Sequence, residues 1–381
     1  MAEYLEAMLN PATGGDNLLS FLLSLIWIGF LMIFFLYPSL GQRMQLSYML
    51  RDLERKLQKL RMIKDEIGNV AVDTVKRVGR PESDPSKELE RLSEFFMIQP
   101  ESMDPYGLVY KLEHILETGE TTYEKEVAAI APHATETQLK TLTNLVEILR
   151  GINTLYRVVR HYYLLGKKTS NIYMVLQIQM ILPQLLEIAE SYRQAAVAFS
   201  KGQPIGDGVG VLVAAKLADG AEKTRYEIAK DTIVQELELE NRKVYVVRAA
   251  GPGGTVGRPG EAVKLLVEKL PQNPKLIITI DAALKLEGEE SGKIAEGVGV
   301  AIGGPGVDKY KIEELARTRN IPLYAFVVFE SITEAITPMR ESIAKAADQV
   351  LSRVKKLILD KVEGGEVAVV AGIGNTVGVG G

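Results

Sequence analysis

Cysteine is absent from all 381 residues, which removes disulfide frameworks, thiolate zinc sites and thiol nucleophiles together. Histidine is scarce as well: His114, His133 and His161 are the only three, and all fall in the first half. Chemistry in the second half must therefore use carboxylates, amides, hydroxyls, lysine, arginine or backbone, and neither a Ser-His-Asp nor a Cys-His arrangement can be built there. An excess of one charge is also lacking. The 45 basic and 49 acidic residues leave a net of −4, so nothing holds a phosphate backbone and no nucleic-acid partner is expected. What is present is enough chain for two to three domains of about 150 residues each, with apolar residues and glycine distributed unevenly along it.

Residues 18–37 read LLSFLLSLIWIGFLMIFFLY, without a charge. As a helix this run spans about 30 Å, the thickness of a hydrocarbon core, and predicts one N-terminal transmembrane helix in contact with the lipid bilayer. A signal peptide would need a basic start and a small-residue cleavage site. The leader 1–17 instead carries Glu3, Glu6 and Asp16 with no basic residue, and Pro38 follows bulky aromatics. Arg43, Arg51, Arg55 and Lys56 come next. By the positive-inside rule they place the protein in the cell membrane, single-pass, with the N-terminus outside and everything beyond residue 40 in the cytoplasm.

Ten of the 34 glycines fall in residues 1–201 and 24 in residues 202–381, which marks a boundary near Lys201. Before it the periodicity is helical. Residues 42–80 carry Leu46, Leu50, Leu53, Leu57, Leu60, Ile63 and Ile67 at the 3-4 spacing of a packing seam. A coiled coil joining copies through residues 42–78 and a hairpin against the chain's own later helices both satisfy that spacing. A helical domain over 81–201 follows the polar break at Pro81–Pro85, with caps expected at Asp104 and Thr135. The uncharged run 171–186 contains Gln177, Gln179, Pro183 and Gln184 and reads as a buried helix of a bundle. In Tyr156, Arg157, Arg160, His161, Tyr162 and Tyr163, basic and aromatic residues mix, as on a solvated helix face or at an anion or headgroup contact.

Residues 202–381 change to short β-branched runs at 244–247, 276–280, 298–302, 323–328 and 367–370, alternating with helical patterns at 209–219, 260–270, 309–319 and 339–359. This predicts an α/β domain with a mostly parallel sheet covered by helices on both faces. In such folds ligands sit at the carboxyl ends of the strands. The unusual residues fall there: the loop from Gly251 through Gly253 and Gly254 to Arg258, Asp281, the loop Gly303–Gly306 with Gly304 in it, Glu330, and Gly372–Asn375 with Gly374. Neither a Walker A loop nor a G-x-G-x-x-G fingerprint is complete in any of these loops. Their backbone amides, with Arg258 at a helix start, could cradle an anion; tight turns need glycine equally. Asp207 opens a helix and Asp281 ends the strand LIITID, where each is a cap or a site residue. With Glu289 from the loop that follows, they make a candidate oxygen-ligand set for a divalent metal.

The segment PIGDGVGVLV, Pro204–Val213, resembles the G-D-[ED]-G-x-G-x-x-V segment of hydrogenase-maturation endopeptidases and related spore-protease-like proteins, where it follows a first strand ending in G-I-G-N. Here that strand, VAVVAGIGN, is residues 367–375. The resemblance implies a circularly permuted phosphorylase/hydrolase-like fold with the strand beside residues 202–208, and it matches Asp207 and Asp281 to the family's two acidic positions. The family's metal-binding histidine has no counterpart, and Gly208 stands where a second acidic residue is usual. The chain as a whole also resembles an archaeal family of single-pass membrane proteins of unknown function. These readings together predict a membrane-anchored hydrolase- or peptidase-like protein in which Asp207 and Asp281 position a water or a metal. The competing expectation is a non-enzymatic anion-, nucleotide- or protein-binding module, or a membrane scaffold.

Overall fold

A computed structural model describes residues 16–36, 38–98, 107–220 and 224–379. The leader up to residue 15 and the expected cap Asp104 lie outside these residues. Helices come first: α1 (Asp16–Leu36), α2 (Pro38–Gly79), α3 (Ser86–Leu92), α4 (Leu108–Ile130), α5 (Glu136–Thr169) and α6 (Ile172–Lys201). Thr135 caps α5 as expected: Gln138 N–H donates to its hydroxyl at 3.3 Å, and Thr135 N–H donates to the Gln138 amide oxygen at 2.9 Å. The chain divides into two compact units, residues 1–59 with 157–183 and residues 60–156 with 184–381.

In the first unit the start of α2 buries Leu46, Met49 and Leu53. The end of α5 buries Val159 and Tyr163, and the start of α6 buries Val175, Ile178 and Leu182. Gly166 on α5 faces Leu50, and Gln179 on α6 donates to Asp52 at 3.1 Å. The start of the α2 seam is thus packed against the chain's own α5 and α6, as a hairpin requires. Among the described residues one helix, Ile172–Lys201, is long and apolar enough to cross a membrane, which the sequence did not predict of it, and Leu19–Met32 of α1 forms a shorter apolar stretch. Nor is the start of α6 buried all round, because Tyr173, Leu176, Met180 and Ile181 point outward.

The second unit contains the remaining helical turns and the α/β domain. There a 3-10 turn (Gly206–Gly208) leads into α7 (Val209–Leu217), then β1 (Tyr226–Ala229), β2 (Thr232–Leu239), β3 (Arg242–Ala249), α8 (Pro259–Lys269), β4 (Leu276–Leu284), β5 (Ile294–Val298), α9 (Val307–Arg319), β6 (Leu323–Glu330), α10 (Ile332–Ile336), α11 (Glu341–Lys361) and β7 (Val367–Gly372). The sheet order is β1-β2-β3-β7-β4-β6-β5. Its centre β3-β7-β4-β6 is parallel, while β1, β2 and β5 run antiparallel to their neighbours. The sheet is therefore mixed, where a mostly parallel one was expected.

Alternation along the central strands feeds two cores. Val244, Val246, Ile278, Ile280 and Val370 pack under α7 and α11; Val247, Ile277 and Val369 pack under α8 and α9. All six residues of β7 are buried, as befits a strand covered on both faces. The β1–β2–β3 hairpins were not anticipated, because YEIA and TIVQELEL are rich in glutamate. Their second turn is nevertheless a recognisable one, with Glu240 and Asn241 both at positive φ (45° and 62°) as in a two-residue hairpin turn. The run expected at 298–302 is displaced: the strand is 294–298, and residues 299–302 begin the loop toward α9.

Candidate functional site: a buried carboxyl cluster

At their carboxyl ends β4, β6 and β7 present Asp281, Glu330 and the Gly374–Asn375 turn to one rim, and the Gly206–Gly208 turn meets that rim from the start of α7. Two glycines make this meeting possible. A Cβ at Gly374, where φ is +129°, would lie 1.9 Å from the Asp207 carbonyl oxygen. One at Gly210 would lie 2.3 Å from the carbonyl oxygens of Ile280 and Ile373, so only glycine lets α7 begin against the strand ends.

Asn375 N–H donates to Asp207 Oδ2 at 2.9 Å. Ala282 N–H donates to Asp281 Oδ1 at 2.8 Å, and Gly303 N–H donates to Asp281 Oδ2 at 2.9 Å. Asp207 is therefore no helix cap. Asp281 is 5% exposed and Glu330 1%, whereas Asp207, though ringed by protein, keeps some solvent-facing surface. Neither carboxyl oxygen of Glu330 has a hydrogen-bond partner, and Glu330 Oε2 lies against Gly206, beside Asp207.

Burial first, then the charge of Asp207, pushes the Asp281 carboxyl up to about 7. Burial, followed by the charges of Asp207, Glu334 and Asp281, pushes Glu330 up to about 8. Asp207 is raised by burial against the opposing pull of the Asn375 N–H. Among the described residues no cation acts on any of the three. Glu334 behaves differently: burial lifts it, but donors from Ser331 and Ser291 and the charge of Arg340 hold it below its ordinary value. Near neutral pH the cluster must hold at least one proton, and it has no counter-charge with which to release it. A protonated and an ionised carboxyl on one rim can between them accept one proton and give another.

The expected residues separate into those that join this rim and those that do not. Asp207, Asp281, Gly303, Gly374 and Asn375 join it. Gly254 adjoins it, its carbonyl accepting from the Asn375 amide at 3.4 Å and from Asn144 of α5. Gly253 packs against the Thr137 backbone. Arg258 is held by Glu120 of α4. Gly304 is exposed beyond Gly303. Glu289 closes its own turn, accepting from Leu286 N–H at 2.9 Å and pairing with Lys293 at 3.0 Å. Among the described residues no three Asp, Glu or His side chains are arranged to share a metal ion, and the proposed ligand set with Glu289 is not assembled.

Sequence reasoning placed Glu330 at a strand end but left it out of the site; a lone glutamate closing the apolar run LYAFVVFE was the available signal. Asn144 carried none, since it belongs to the helical half. Beside Asn375 lies a cavity of about 360 Å³ lined by Lys140, Asn144, Glu147, Gly254, Arg258 and Asn375, among others.

Residues 25–202 match the family model described as Protein of unknown function (DUF1512) N-terminal domain, and residues 205–380 match the one described as Domain of unknown function (DUF1512) C-terminal. The chain belongs to this family. The two matches meet beside Lys201, where the glycine content changes. A comparison with curated proteins returns no match.

Proposed function

We propose that this member of the family is a membrane-anchored hydrolase of the peptidase-like class, in which Asp207 and Asp281 handle the protons of a water-driven cleavage. The observation that carries the reading is the buried carboxyl cluster without a cation, whose third member, Glu330, has no hydrogen-bond partner. The central position of β7 beside the Gly206–Gly208 turn supports it. That arrangement is the one implied by the permuted resemblance to hydrogenase-maturation endopeptidases.

Asp207 and Asp281 share one proton. The ionised carboxylate takes a proton from water as its oxygen adds to the scissile carbonyl carbon. The protonated carboxyl gives its proton to the leaving nitrogen as the C–N bond breaks, which restores a singly protonated pair. Glu330 touches neither water nor substrate in this scheme; burial keeps its carboxyl protonated, and so uncharged, at the pH where the pair works. Cleavage then falls as pH rises through about 7, where Asp281 ionises.

The anchor is residues 18–37. Leu19, Leu22, Leu23, Ile26, Trp27 and Phe30 of α1 are exposed, which suits a helix surrounded by lipid, and the arginines after it favour a cytoplasmic hydrolase domain. The test is mass spectrometry of a peptide mixture incubated with the full chain in nanodiscs. Wild type should cleave, and Asp281→Asn and Asp207→Asn should each lose roughly 10²–10⁴-fold in rate while remaining folded. Lack of cleavage by wild type from about pH 4 to 8 would sink the reading. The cavity beside Asn375 favours a second one, a binding module for a small polar molecule, which would raise Tm with a ligand without turning it over.

A further inference from the structure

The chain's net charge of −4 hides a segregation. Residues 38–59 and 157–183 of the first unit carry nine Lys and Arg against two Asp and Glu, a net of +7, leaving −11 for the rest. Among the described residues Arg43, Arg51, Arg160, Lys167 and Lys168 form no ion pair, although Lys167 lies over the Tyr163 ring. This contrasts with the second unit, where Arg258, Lys140, Lys230 and Lys311 are each held by carboxylates.

Apolar side chains point outward from the same three helices: Met44 and Tyr48 on α2, Leu164 on α5, and Tyr173, Leu176 and Met180 on α6. Tyr173 and Met180 are 76% and 72% exposed. They form a stripe at 3-4 spacing opposite the buried Val175, Ile178 and Leu182. An open groove along α2 is lined by Arg43, Ser47, Tyr48 and Arg51, donors suited to a phosphate. Basic residues beside exposed aromatic and aliphatic ones make up the composition of a helix surface that lies in a headgroup layer.

Chain geometry bears on which partner meets this surface. Leu50 faces Gly166, and the α5–α6 turn follows within five residues of Gly166. Leu50 lies 13 residues beyond Tyr37, which is at most about 20 Å of helix. A bilayer entered by residues 18–37 is therefore never far from the turn, and a tilt of α2 brings the two together.

We propose that the α5–α6 turn and the adjoining faces of α2 and α6 form a second membrane contact, docking on the anionic surface of the bilayer that holds α1. Acidic lipid phosphates meet Arg43, Arg51, Lys167 and Lys168, while Tyr173, Leu176 and Met180 enter the interface. The proposal rests on the anchoring proposed above.

The absence of cysteine makes the test direct. Single cysteines replacing Leu23, Leu176, Met180 or Ser352 in the full chain are labelled with an environment-sensitive fluorophore. The protein is placed in nanodiscs of phosphatidylcholine with or without phosphatidylglycerol, and spin-labelled lipid is the quencher. The expected result is quenching at position 23 in both discs, at 176 and 180 only with phosphatidylglycerol, and at 352 in neither. Lys167→Glu with Lys168→Glu should abolish quenching at 176 and 180 and spare 23, with circular dichroism unchanged. Labels at 176 and 180 that stay open to aqueous iodide in the anionic discs would overturn the proposal. So would labels shielded from iodide but untouched by spin-labelled lipid, which would assign this surface to a second copy of the chain. If position 23 escapes quenching while 176 and 180 do not, the anchor fails and the surface contact stands.

Discussion

Two glycine-rich loops follow strands of this sheet, 251–257 after β3 and 299–306 after β5, and they use glycine differently. In 251–257 the glycines admit neighbours: a Cβ at Gly257 would lie 2.4 Å from the Thr232 hydroxyl, and one at Gly253 3.1 Å from the Thr137 backbone. Thr255 and Thr376 fasten this loop further, through 3.0 Å bonds in both directions. In 299–306 the glycines admit a conformation. Gly299, Gly304 and Gly306 all have positive φ, and nothing lies within 4 Å of a Cβ at any of them. The first loop is the floor on which α5 rests; the second is an open edge whose Gly303 N–H reaches the Asp281 carboxylate. Equal composition thus conceals one structural joint and one open loop.

The largest expected effect sharpens that contrast. Gly257→Ala adds a clash to a backbone at φ +66° and should cost about 3 kcal/mol in denaturant unfolding. A loss below about 1 kcal/mol would mean the first loop is as unconstrained as the second.

Glu330→Gln tests the open edge from below. Its folded pKa, about 8, lies above the ordinary glutamate value of 4.5, so the folded state keeps a proton that the unfolded state has lost. Stability from this group is complete below about pH 4.5 and falls as pH rises toward 8. Glutamine removes that fall, and at pH 9 the variant should be more stable than wild type by on the order of 2 kcal/mol, with little difference at pH 4. A variant less stable than wild type at pH 9 would show that Glu330 has a charge partner after all.

Gly304→Ala should cost about 1 kcal/mol, from positive φ alone, because its side chain meets no neighbour. Smallest of all is the Arg258–Glu120 pair. Burial lifts the Glu120 carboxyl more than Arg258 lowers it, so attraction and desolvation nearly cancel. A double-mutant cycle should give a coupling below about 1 kcal/mol, and a larger value would make Arg258 a principal tie between loop and helix.

Much of the fold was legible because periodicity reports burial. The seam on α2, the boundary at Lys201 and the doubly buried VAVVA run all follow from where apolar residues recur. The glutamate-rich β2 was missed because a strand near a sheet edge needs only one apolar face, and half of TIVQELEL looks like surface. At the site, Asp207, Asp281 and Asn375 could be read from strand ends and the turns that receive them. The partner of Arg258 was not legible because it lies 138 residues earlier on a helix, and no local pattern announces a long-range ion pair. Glu289 was misread for the converse reason: its partners, Leu286 and Lys293, are so local that the turn satisfies them itself.

The place of β7 has a consequence for how the sheet is assembled. β3 and β4 follow one another through α8 yet never pair; each pairs with β7 instead. Until residues 367–372 arrive, the two strands must stand apart by about twice the 4.8 Å strand spacing, leaving a slot lined with unpaired amides and carbonyls. Closing it is the least local step in the domain, and therefore a slow one. A slot that waits this long can be filled by the wrong guest. Premature pairing of β3 with β4 would trap the chain, and the corresponding strand of a second molecule would fit as well as its own, so crowded refolding should favour strand-exchanged dimers.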